Sequence, residues 1–349
     1  MKRCKLFLLV IMVYLLPLAM IAQSKTNLVS VKDDPAKRSV SISINGKPFT
    51  ELVYTDTIEK PVLYPIYAAD GEMITRGFPW NPQPNDPTDH PHHLGLWFNY
   101  EKVNGLDFWN NSFAIPAEKK NLYGWIRTEK IAETESGVKG KLVYMADWTD
   151  QGKNILLKEK TTYLFSEQNN SRVIDRITEL TAEQNIAMPD TKDGLLGLRV
   201  AHELELPINQ TKEYTDDKGN VTKVTTTKDA TVTGNYITSA GKQGDAAWGT
   251  RGNWCMLYGK KGIDTISIAM IDHPENPGYP TYWHARNYGL FAANPLGQRI
   301  FSEGKENLNF RISKGHKAIF RYRIVIHSGK QRLPMPLLNQ FVAGFSQKP

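Results

Sequence analysis

Short segments in which apolar and polar residues alternate recur along almost the whole chain, broken by Gly, Asn, Asp and Pro. Alternation at period two marks a strand with one face buried, and those four residue types mark turns. Ser39–Ile44 (SVSISI) is the clearest case, and Asn45-Gly46 after it offers a hairpin turn. Similar runs are 61–67, 94–100, 139–148, 155–165, 172–180, 195–206, 221–233, 263–271, 308–312 and 319–327. Helical periodicity is nearly absent; the one candidate is Pro336–Phe345, with Leu337, Leu338, Phe341, Val342 and Phe345 on one side. The stretch 209–229, rich in Thr, Lys and Asp, is expected to be an exposed hairpin or loop. So many strands without an obvious linker predict an all-β fold, a single large antiparallel β-sandwich over residues 23–349.

Residues 1–22 stand apart. Lys2, Arg3 and Lys5 precede an apolar run from Leu6 to Ala22, which reads as a signal peptide of a secreted or periplasmic protein. The run is short for a spanning helix and no second one occurs, so no integral span is expected after cleavage. The net charge of +7 falls to +4 without those three cations, and only Cys255 of the two cysteines remains. No disulfide is expected, and Cys255 reads as a buried structural thiol. The positive charge is scattered, with no Lys/Arg cluster among aromatics, which argues against nucleic acid as a partner.

Trp80–Pro91 (WNPQPNDPTDHP) is proline-rich and must be an irregular loop. It leads into Asp89-His90-Pro91-His92-His93, which holds three of the eight histidines. Imidazole serves as metal ligand, base or acid near neutral pH. In extended backbone His90 and His92 share a side, where a divalent transition metal would find two ligands, with Asp89 orienting an imidazole. Whether a metal is bound stays open.

Parity sorts the next strands. Leu94, Leu96, Phe98 and Tyr100 share one face, and His93 and Trp97 share the other, where an aromatic ring suits a sugar's apolar face. In 195–206, Leu196, Leu198, Val200, His202, Leu204 and Leu206 form the apolar face, with His202 read as a core histidine. Arg199 and Glu203 share the polar face and are expected to line a cleft, with the Asp190–Gly194 turn nearby.

A second Asp-His-Pro at 272–274 ends the run 263–271, and Trp283-His284-Ala285-Arg286 comes shortly after. A histidine near Asp and another near Arg suit proton abstraction with stabilisation of a developing anion. Trp248 and Trp254 flank Arg251. No phosphate loop, nucleophile elbow, HExxH or CxxC is present.

DHPHHLGLWF (89–98), VNGLDFW (103–109), DTKDGLLGLRVA (190–201), WGTR (248–251), DHPENPGYPTYWHARNYGLFAANPLG (272–297) and LYPIYAADGEMITRGFP (63–79) together resemble the secreted bacterial methane oxygenase PmoA family, over about residues 50–330. That resemblance implies a galactose-mutarotase-like supersandwich, in which sugars are bound by histidines, an arginine and a carboxylate. The family name implies a metal-dependent oxygenase.

The reading that joins these observations is a carbohydrate-active protein that acts on a sugar or oligosaccharide by histidine acid–base chemistry, epimerase- or lyase-like. His92, His93, His273 and His284 are the candidate proton carriers. Arg76, Trp97, Arg199, Glu203 and Arg286 are the candidate substrate contacts, and His90 and His92 the candidate metal ligands. A non-catalytic sugar-binding protein and a metal-dependent oxygenase are the alternatives.

Overall fold

The computed structural model describes residues 28–207, 211–215, 221–225 and 229–347. The expected signal peptide lies outside the described residues. Two eight-stranded antiparallel sheets face each other. The first runs, in spatial order, Val29–Asp34, Ser39–Ile44, Lys47–Val53, Val62–Ile66, Leu96–Tyr100, Gly194–Arg199, Leu290–Asn294 and Tyr282–Ala285. The second runs Asn235–Thr238, Trp254–Lys261, Asp264–Asp272, Lys317–Gly329, Ser171–Ala182, Ile155–Gln168, Gly140–Thr149 and Trp125–Glu135. Two short pairs add Ile186–Met188 to Phe310–Ile312 and Thr211–Thr215 to Val221–Thr225. This is the all-β, large antiparallel sandwich that the alternating pattern predicts.

The period-two pattern explains how the layers close. Leu96, Phe98, Tyr100, Leu196, Leu198, Phe291 and Ala293 of the first sheet share one core with Trp148, Tyr163, Phe165, Ile324 and Ile326 of the second. Asn45 and Gly46 both have positive φ, 51° and 76°, which the two-residue hairpin turn demands. An ion pair is buried between the sheets: Arg176 lies 4.7 Å from the Phe98 ring centre and bonds Glu159 at 2.8 Å and the Tyr144 hydroxyl at 3.1 Å. A buried guanidinium is tolerated only with such partners.

The C-terminal helix Met335–Ser346 buries Leu338, Phe341 and Phe345 against the far side of the second sheet, as its apolar spacing predicts. Cys255 is a free, buried thiol whose pKa burial pushes well up. Among the described residues, no helix is long and apolar enough to cross a membrane.

Candidate functional site

The outward face of the first sheet gathers most of the candidate residues, and the strand register shows how. Trp97 pairs with Gly197, Gly197 with Ala292, and Ala292 with His284, so one row crosses four strands with its two large side chains at the ends. Gly197 is required there, because a Cβ would come within 2.5 Å of the Trp97 ring and 2.8 Å of Trp109. Arg199 stands one pleat further along the same face, beside Leu290, whose carbonyl accepts the Arg286 N–H at 2.7 Å.

The proline-rich loop is clamped onto this face by charge. Arg76 donates to the carbonyls of Pro87, Asp89, His90 and His93 at 3.1, 2.6, 2.9 and 3.0 Å, and to Asp89 Oδ1 at 3.1 Å. Arg199 donates to Asp89 Oδ1 at 2.9 Å and lies 3.8 Å from Glu205. Burial alone would raise the Asp89 pKa, but Arg199, His90 and Arg76 hold it well below the usual carboxylate range. Asp89 Oδ2 also bonds His90 Nδ1. His90 has φ +47°, a left-handed conformation that costs a non-glycine residue about 1–2 kcal/mol. The clamp holds that strain, and it presents the imidazole with its side chain 43% exposed.

The rings form a continuous stack. His90 stacks on Tyr288 at 5.2 Å and on His93 at 4.8 Å, His93 stacks on Trp97 at 5.2 Å, and Trp97 meets Trp109 at 5.1 Å. Arg199 donates to His93 Nδ1 at 3.3 Å. A guanidinium can only donate, so His93 carries its proton on Nε2. That atom is buried and unpartnered, as are His92 Nε2, Trp97 Nε1 and His284 Nδ1. Burial, with the neighbouring cations, holds both His92 and His93 well below the ordinary histidine pKa.

At the other end of the row, His284 Nδ1 lies 3.7 Å from Asp193 Oδ1, too far for a hydrogen bond. Burial pushes the Asp193 carboxyl up to about 6. Burial, reinforced by Arg286 and Lys192, pushes His284 down to about 3. The contact has the distance of a loose ion pair, yet the two shifts oppose its charging, and burial decides for an imidazole that stays neutral. Arg286 faces the pair electrostatically; its guanidinium lies 5.6 Å from the Tyr288 ring and 5.8 Å from that of Trp248. Among the described residues the Arg286 side chain makes no hydrogen bond. Trp248 is 38% exposed, and Phe301, 5.7 Å from it and 5.8 Å from His284, links it to the histidine.

The structure therefore gathers His90, His92, His93, Arg199, His284 and Arg286 on one face, but it departs from several expectations. The strand expected over 94–100 begins at Leu96, so His93 reaches Trp97 from the preceding loop and not by strand parity. Trp97 is fully buried, covered by His93 and Trp109 and with Lys60 Nζ 5.5 Å from its ring; it has no face for a sugar. Arg76 is buried, and its Nη donors are spent on the loop, so it positions the site instead of contacting substrate. The strand expected over 195–206 stops at Arg199, and His202–Leu204 form a 3₁₀ turn. That breaks the parity: Glu203 swings out to Lys261 at 2.7 Å, and Glu205 approaches Arg199 in its place. His202 is buried but is held by Asp229 at 2.8 Å, not by apolar packing alone. His273 ends Asp264–Asp272 in the other sheet and packs edge-on to Phe345 of the C-terminal helix, so it does not join the other histidines. Among the described residues, no three His, Cys, Asp or Glu side chains converge to hold a metal ion, so the His90/His92 pair gains no third ligand.

Sequence reasoning missed Lys60, Glu205 and Tyr288. Lys60 is buried, donates to the His92 carbonyl at 2.8 Å, and is pushed down to about 8 by burial against the pull of Glu59 and Asp107. A lone lysine between Glu59 and Pro61 carries no local signal. Glu205 was visible only through the parity that the 3₁₀ turn breaks. Tyr288 shares parity with His284 and Arg286, and that was its signal.

The model of a family of unknown function, DUF6807, matches residues 39–333. No curated protein matches the chain. Among solved structures, the chain is similar to the GH36 alpha-galactosidase AgaB from Geobacillus stearothermophilus, at 12% identity and TM-score 0.39, over 86% of this chain and 41% of that one. It is similar to the alpha-galactosidase from Lactobacillus brevis at 8% identity and TM-score 0.34, over 91% and 41%. The chain thus spans about two fifths of the length of these enzymes. The DUF6807 match takes in all the motifs that resembled the methane oxygenase PmoA family, and it corrects that resemblance. The oxygenase reading rested on that family's name and falls with it.

Proposed function

The chain belongs to DUF6807, a family of unknown function, and we propose that it acts on a sugar by acid–base chemistry, epimerase-like, on the outward face of the first sheet. The observation that carries this reading is the Asp193–His284 pair, whose environments push their protonation apart. A carboxylate with a pKa near 6 is ionised at neutral pH yet basic enough to accept a proton, which suits a general base. His284, kept neutral, serves beside it as a hydrogen-bonding group and not as a second charge. Asp193 takes a proton from the substrate. His90, oriented by Asp89, returns one from its imidazole, so protons balance. Arg286, with its donors unfilled, faces the negative charge that develops between the two transfers. Trp248 supplies the exposed aromatic face that Trp97 lacks, on which an apolar sugar face can stack.

Incubating the protein with neutral glycosides and with uronides, with the products read by NMR, tests the reading. A change of configuration supports it. A new double bond in a uronide would move the same residues to elimination, with Arg286 facing the enolate. A panel left wholly unchanged overturns catalysis and leaves a sugar-binding role.

A further inference from the structure

A cavity lies away from the histidines, at the edge of the other sheet. Its volume is about 580 Å³, and its walls include Trp125, Arg127, Asp147, Thr149 and Gln151. The register makes this wall: Trp125 pairs with Thr149 and Arg127 with Asp147, a block of four side chains facing outward while Ile126 and Trp148 between them turn into the core. The Asp150–Asn154 turn, tied by Asp150 to the Asn154 amide at 2.9 Å, and Asp56 from the first sheet's loop enclose the block.

Asp147 and part of Arg127 are left with unused hydrogen-bonding capacity here. Asp147 is half-buried and makes no hydrogen bond among the described residues; burial raises its pKa, with Lys158 opposing. Arg127 uses Nη1 on the carbonyls of Asp56 and Ile58 and keeps its other donors. Trp125 is half-buried, with Lys120 Nζ 5.9 Å from its ring centre. A half-buried carboxylate with no protein donor is open to hydroxyl or N–H partners. Paired acceptor and donor groups beside one aromatic wall match the vicinal hydroxyls and apolar C–H face of a pyranose. We infer that this cavity is a second saccharide-binding site, lined by Trp125, Asp147 and Arg127, which holds one end of an oligosaccharide or a separate sugar without chemistry. It stands whether or not the histidine face is catalytic.

The test uses the full chain labelled with 5-fluorotryptophan, whose eight tryptophans give separate ¹⁹F signals. Trp125→Phe and Trp248→Phe assign two of them. Glucose, galactose, maltose and cellobiose are titrated at millimolar concentrations, the range of weak sugar sites. The Trp125 signal is expected to shift saturably with at least one of them, and Asp147→Ala to weaken that response about tenfold. The Trp248 signal reports the histidine face, so the two sites succeed or fail separately. A Trp125 signal that no saccharide moves, or that moves only with the ionic controls glycine and acetate, overturns the inference.

Discussion

The carboxyl of Asp193 and the imidazole of His284 stand 3.7 Å apart with their usual order of protonation brought to reversal, because burial raises the carboxyl and, with Arg286 and Lys192, lowers the imidazole. The pair is uncharged between about pH 3 and pH 6 and carries one negative charge above that range. A ¹³C NMR titration of the Asp193 carboxyl, identified by its loss in Asp193→Asn, is therefore expected to show a midpoint near 6. A midpoint at or below about 3.9, the ordinary aspartate value, would mean the imidazole is charged in the fold.

Stability should fall on both sides of a maximum. His92, His93 and His284 have depressed pKa values in the fold, so below the ordinary 6.5 the unfolded chain binds protons that the native one refuses. Each such histidine removes about 1.4 kcal/mol per pH unit as pH drops, for His284 down to about 3. Asp193 and Asp272 have raised values, about 6 and about 7, so the stability their protonated forms give is lost as pH rises through those values. Thermal unfolding across this range is expected to give the highest Tm between about pH 5.5 and 7. A Tm that keeps rising towards acid contradicts the neutral histidines.

The two arginines should separate structure from binding. Arg76→Ala leaves Asp89 short of a buried partner and unties five contacts to the loop, with a cost of about 3–5 kcal/mol in urea unfolding. Arg286→Ala breaks no side-chain hydrogen bond among the described residues and should stay within about 1 kcal/mol of the parent while weakening sugar binding. Equal destabilisation by both would place Arg286 in the scaffold.

The tryptophans should divide the same way. Trp248→Ala removes an exposed face and is expected to weaken sugar binding about three- to tenfold with little change in Tm. Trp97→Ala opens a cavity beside Trp109 and should cost about 3–5 kcal/mol. Glu203→Gln, at a partly exposed ion pair with Lys261, should change stability by under about 1 kcal/mol and leave binding intact.

How much the sequence disclosed depends on how local each signal is. Ser39–Ile44 and its Asn-Gly turn are written in adjacent residues, and both appear as read. His93 meets Trp97 as read, but not through strand parity: the strand begins only at Leu96, and the segment before it, with Gly95 at φ +52°, folds the imidazole onto the indole. The same logic failed for Glu203 because the strand ends at Arg199 and the 3₁₀ turn rotates the residues beyond it. Parity also cannot tell which of two sheets a strand joins, so His273 and His284 looked alike and belong to different layers. Burial of Trp97 depends on Trp109 and Lys60, which reach it from other segments, and no local pattern records that.

The most direct test of the central claim is the pH dependence of kcat/KM for wild type and Asp193→Asn, on whichever sugar of the NMR panel turns over fastest, between about pH 4 and 8. The account predicts a wild-type rate whose acid limb rises through about pH 6 as Asp193 ionises, and a variant about 10²- to 10⁴-fold slower without that limb. A variant that keeps both the rate and the limb would show that Asp193 is not the base.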